Sequence, residues 1–93
     1  MIENEHIALW NLCLRRIRDN VDKVVYERWF DPIVPLQYEN KELTIGVPSQ
    51  FFYEILEEKY AGLLSATLNK EIGEGTQLLY RVLIDKTNGE SIT

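Results

Sequence analysis

The sequence of 93 residues has one cysteine, one histidine, no surplus of basic residues and no long apolar run, and each shortage excludes something. A lone Cys13 cannot form an internal disulfide, and its place among apolar residues at helical spacing makes it a small buried hydrophobe rather than a reactive thiol. His6, in a frayable first helical turn, has no second metal ligand at a useful spacing, so neither a metal site nor imidazole catalysis is expected. Glu57 and Glu58 are adjacent on a helix and diverge, and Gly73-Glu74-Gly75 lacks the lysine and the strand-to-helix setting of a phosphate loop. The expectation is a chain that is not an enzyme and carries no cofactor. Ten basic against fifteen acidic residues give a net charge of −5, and both halves are acidic, which disfavours phosphate-driven nucleic-acid binding and points to protein partners. No apolar stretch approaches a membrane span, and Met1-Ile2-Glu3-Asn4-Glu5 is unlike a secretory signal, so a cytoplasmic location without membrane contact is expected.

What is present suits one small globular domain: 45% hydrophobic residues, 27% charged and ten aromatics. Its centre is the passage from strand to helix around Pro48. Leu43, Ile45 and Val47 alternate with Thr44 and Gly46 as in a half-buried strand, Pro48 removes the next ladder donor, and Ser49 is suited to cap a helix. The spacing predicts one helix of about five to six turns, from Phe51 to about Ile72. Phe52, Ile55, Leu56, Tyr60, Leu63, Leu64 and Thr67 share its core face, while Phe51 falls with Glu54, Glu57, Glu58 and Gly62 on the other. An aromatic so placed either tucks under a neighbouring loop or waits for a partner.

Before that centre, Ile7, Leu9, Trp10, Cys13, Leu14, Ile17 and Val21 form an apolar helix face about 160° wide, broader than a single core contact requires. Either two neighbouring helices use the whole width, or the edge carrying Trp10 or Leu14 stays open for a second protein or a second copy. Arg15, Arg16 and Arg18 lie off this face, in the manner of a solvated helix back. Asp22 is placed to cap a short second helix, Lys23 to Phe30, stopped before Pro32, with Trp29 expected in the core. Ile33 to Tyr38 and Leu43 to Val47 read as an antiparallel hairpin turning at Glu39-Asn40-Lys41-Glu42, with Pro35 marking an edge or bulge. Gln77 to Ile84 alternates as a third strand, and residues 86–93 lose all periodicity, like the start of a linker. The order α-α-β-β-α-β makes an α+β domain over residues 1–85, with one small three-stranded sheet covered by helices.

Three segments are specific: Leu9-Trp10-x-x-Cys13-Leu14-x-x-Ile17, then Trp29-Phe30-x-Pro32-Ile33-x-Pro35-Leu36, then Leu43-Thr44-Ile45-x-Val47-Pro48-Ser49-Gln50-Phe51. Together they resemble the N-terminal domain of the bacterial replication initiator DnaA, from about Ile7 to Asp85. The resemblance implies a K-homology-like fold of three helices and three strands, joined by a flexible linker to an ATPase domain and a duplex-DNA-binding domain outside this chain. ATP and duplex DNA are expected only there. It also implies the partners: the domain itself in weak self-association, the replicative helicase, and regulators of initiation. By position, Trp10 matches the self-association tryptophan and Phe51 the aromatic used for helicase and regulator contact. Val25 stands where some members use an acidic residue for the helicase, so that contact is either more apolar here or made elsewhere. The partner-binding set implied by the helix faces and the resemblance is thus Trp10, Leu14, Val25 and Phe51, while Trp29 and Pro32 are assigned no partner role. The competing reading is a K-homology-like module for single-stranded nucleic acid, for which the sequence lacks both a GxxG loop and a favourable charge.

Overall fold

The sheet is organised around its middle strand. The computed structural model of the chain describes residues 4–83, so the expected linker at 86–93 and the last position of the expected third strand, Ile84, lie outside it. Strand β2 (Glu42–Val47) pairs antiparallel with β1 (Val34–Glu39) and parallel with β3 (Gln77–Val82), in the order β1-β2-β3. The hairpin turns on two residues of positive φ, Asn40 (53°) and Lys41 (64°), the pattern that matches strand twist in two-residue loops. Pairing slips between Pro35 and Gln37, so the proline sits at a bulge on an edge strand, as expected.

Leu43, Ile45 and Val47 are fully buried on the helix side of the sheet, each stabilising the fold by about 1.5–3 kcal/mol relative to exposure. Thr44 and Gly46 are buried as well, so β2 is covered more completely than the half-buried strand its alternation suggests. The cause lies at Gly46: a Cβ there would stand 2.5 Å from Leu83 Cδ1 and 3.0 Å from Val34 Cγ2, and the missing side chain lets those two close over the strand.

Helix α1 (Glu5–Asn20) packs Trp10, Cys13 and Ile17 inward against β1 and the last helix. Helix α2 (Lys23–Val25) runs straight into a π-helical turn, Tyr26–Phe30, closed by the Asp31 amide donating to Tyr26 O at 2.9 Å. Asp22 precedes α2 as expected but makes no side-chain cap; its main-chain carbonyl accepts from Tyr26 N instead, at 2.9 Å. Asp31 keeps helical dihedrals (φ −58°, ψ −38°), so the stop falls on Pro32, which has no amide for the next helical bond.

The predicted long helix is two. Helix α3 (Gln50–Lys59) begins on Ser49, whose Oγ accepts from Phe52 N at 3.1 Å, and α4 (Ala61–Glu71) starts after a break at Tyr60 (φ −124°, ψ 9°). The change of direction lets α3 lie on β2 and β3 while α4 reaches across to α1, and the Tyr60 ring meets Phe30 edge-on at 5.3 Å. Arg16 Nε donates to Glu71 Oε2 at 2.6 Å and ties α1 to α4. The α+β class and the element order stand as read from the sequence, with the fifth element divided.

Candidate functional site

The Ser49 cap fixes the first turn of α3, and successive residues there are rotated by about 100°. Phe52 therefore enters the core while Phe51 points outward, 63% exposed. Between them lies Trp29, half-buried, its ring centroid 5.0 Å from that of Phe52 and 6.4 Å from that of Phe51, both tilted. The Arg28 guanidinium stands over the same indole at 5.4 Å. On α2, Val25 is half-buried against the core and Val24 is 71% exposed. Aromatics and an arginine around an apolar centre are residue types enriched at protein–protein interfaces.

Two expectations about tryptophan are corrected. Trp29 does not enter the core; the pair four residues apart that does is Tyr26 and Phe30, leaving Trp29 as the floor beneath Phe51. Trp10 does not line an open edge: it is 1% exposed, with Nε1 buried and without a hydrogen-bond partner among the described residues. The broad face of α1 is wide because β1, α4 and the π-helical turn all pack on it. On α1 the edge with Ile7 is exposed and Leu14 is half-buried, and Leu12 is exposed off that edge.

Burial, reinforced by the Glu71 carboxylate, pushes the Cys13 thiol up to about 12, so it behaves as the neutral hydrophobe the sequence suggested. Of the three arginines on the back of α1, Arg16 holds Glu71 and Arg18 stacks over Tyr26 at 5.1 Å, which leaves Arg15 exposed. Among the described residues, no three of His, Cys, Asp and Glu gather as a metal cage, and no helix is long and apolar enough to cross a membrane.

Residues 7–70 match the family model of the DnaA N-terminal domain. The chain belongs to the DnaA N-terminal domain family. It is 60% identical over 88 residues to the chromosomal replication initiator protein DnaA of Bacteroides thetaiotaomicron, covering 95% of this chain, and 56% identical over 92 residues to that of Bacteroides fragilis, covering 99%. The DnaA of Chlorobaculum tepidum is 42% identical over 85 residues, or 91% of the chain. The chain spans about 19% of the length of the two Bacteroides relatives and 17% of the third.

Within this DnaA N-terminal domain the four residues singled out from sequence do not form one surface. Phe51 is open, Val25 and Leu14 are half-buried, and Trp10 is sealed. Sequence reasoning did not mark Val24 and Arg28 as exposed or Trp29 as half-buried. Val24 was legible in part: once Val25 turns toward the core, its neighbour on a helix faces away.

Proposed function

We propose that this domain is a non-enzymatic docking module of a replication initiator, and that the surface of Val24, Val25, Arg28, Trp29 and Phe51 receives its protein partners. The observation that carries the reading is Phe51: a large aromatic, 63% exposed, braced against a second aromatic rather than folded away. Membership of the DnaA N-terminal domain family supports the replicative helicase and regulators of initiation as the partners. With Val25 where an acidic residue serves some members, the helicase contact is apolar and aromatic here.

Weak self-association falls to the Ile7–Leu14 edge of α1, with Trp10 holding that edge from beneath. Interfaces below about 1,200 Å² bind weakly, and several initiator copies assembled on DNA would strengthen such contacts through avidity. ATP and duplex DNA belong to other parts of the full-length initiator, and the whole acts in the cytoplasm. The net charge of −5 favours this reading over single-strand binding.

The test is a two-dimensional NMR titration of the domain with the replicative helicase of the same cell. Amide shifts are expected at Val25, Trp29 and Phe51. Shifts that avoid all three would remove helicase docking from this surface, and concentration-dependent shifts at Ile7 and Leu14 in the domain alone would report the self-association.

A further inference from the structure

The two edges of the sheet are finished differently. On β1 the edge is interrupted by Pro35 and a bulge, both of which discourage further pairing. The β3 edge, Gln77-Leu78-Leu79-Tyr80-Arg81-Val82, has neither proline nor lysine nor a shift of register. The amides of Gln77 and Leu83 donate to Lys41 O and Val47 O on the β2 side, both at 2.8 Å. Strand alternation then turns the main-chain N–H and C=O groups of Leu78, Tyr80 and Val82 to the opposite side, where no described strand pairs with them.

The surroundings of that edge specify what fits it. On the helix side a groove runs beside the strand, lined by Gln50, Tyr53 and Glu57 of α3 and continuing past Ala61 and Ser65 of α4. The buried Tyr80 hydroxyl lines it on the same wall as Glu57. On the other side Leu79 and Leu83 are exposed with Arg81 between them, Leu83 leaning over Gly46, so the charge that selects the occupant lies on the helix side. The groove's one charged residue is Glu57, and Glu54 and Glu58 are exposed on the same helix.

We propose that the β3 edge docks an extended basic peptide segment of a partner protein as a fourth strand. Alternate apolar side chains of that segment lie over Leu79 and Leu83, and the intervening lysine or arginine side chains reach Glu57 in the groove. Unpaired main-chain groups supply affinity in such strand addition, and the alternate side chains supply selectivity. A second copy of this chain is the poorer occupant: it would bring its own Glu57 to the same groove and its own charge of −5. None of these residues belongs to the Trp29–Phe51 surface, so the two readings stand or fall separately.

The experiment titrates the 93-residue chain with an acetylated, amidated Lys-Val-Lys-Val-Lys-Val peptide, reading amide shifts and hydrogen exchange by NMR. Shifts and slowed exchange are expected at Leu78, Tyr80 and Val82, with a Glu-Val repeat peptide binding about tenfold more weakly. Glu57→Lys is expected to reverse that preference. Val82→Pro removes an outward amide but no bond to β2, and is expected to abolish the slowed exchange at Leu78 and Tyr80. Should Val82→Pro fail to fold, the exposed Glu57→Lys decides alone. No response at these amides with millimolar peptide, or equal binding of the two peptides, overturns the proposal. Slowed exchange that rises with chain concentration and no peptide also overturns it, because the occupant is then a second copy.

Discussion

The two tryptophans divide the molecule into a sealed region and an open one. Trp10 sits on a helix that three elements cover, and nothing of its ring is offered to solvent. Trp29 sits on a single π-helical turn at the edge of the core, with a buried phenylalanine on one side and an exposed one on the other. Both lie within the residues that match the family model, and both are flanked by apolar residues at helical spacing. What separates them is the number of neighbours: three packed elements leave no edge at Trp10, whereas Trp29, held by the first turn of α3, stays half-buried. A large aromatic becomes a docking residue where the fold runs out of elements to cover it.

The sharpest way to break this contrast is Trp10→Ala. If the α1 face is sealed, the substitution removes a fully buried ring and costs about 3–5 kcal/mol, enough to unfold much of a domain this size at ambient temperature. Denaturant melts of the two chains measure it. A loss below about 1 kcal/mol would mean that Trp10 faces solvent and that the open edge of α1 extends to it.

Much of the fold was legible because its signals are local. The Asn40 turn, the Pro35 bulge, the Ser49 cap and the outward Phe51 each follow from one or two residues, and each stands in the structure as read. The break at Tyr60 was not legible, since no proline marks it and Gly62, the only weak helix former nearby, lies on the exposed side. It exists because α3 follows the sheet while α4 must reach α1, a demand set by distant partners. The position of Trp29 was misread, and that of Trp10 left undecided, for the same reason. A helical wheel gives the direction of a side chain; it does not say what stands in that direction. Val25 with Trp29 and Tyr26 with Phe30 are equivalent pairs on the wheel, and only the placement of β1, α1 and α3 decides between them.

Trp29→Ala sharpens the comparison from the open side. The ring keeps its contact with Phe52 but is only half-buried, so the expected cost is about 2 kcal/mol, between that of a core aromatic and that of a surface residue. The thermal midpoint should therefore fall between those of Trp10→Ala and wild type. A cost equal to that of Trp10→Ala would put Trp29 back in the core and leave Phe51 as an isolated exposed aromatic.

The smallest effect on stability is expected from Phe51→Ala, and it is the most informative one. The side chain is 63% exposed and touches the body of the domain through Trp29, so truncation should change stability by less than about 1 kcal/mol. Binding should behave in the opposite way, because a braced aromatic at the centre of an interface commonly contributes more than 2 kcal/mol, or upwards of thirtyfold in affinity. Melting and helicase titration on the same variant separate the two quantities. Unchanged stability with lost binding fits a residue held out for a partner, whereas lost stability with unchanged binding would make Phe51 a structural cover for Trp29 and move the docking surface elsewhere.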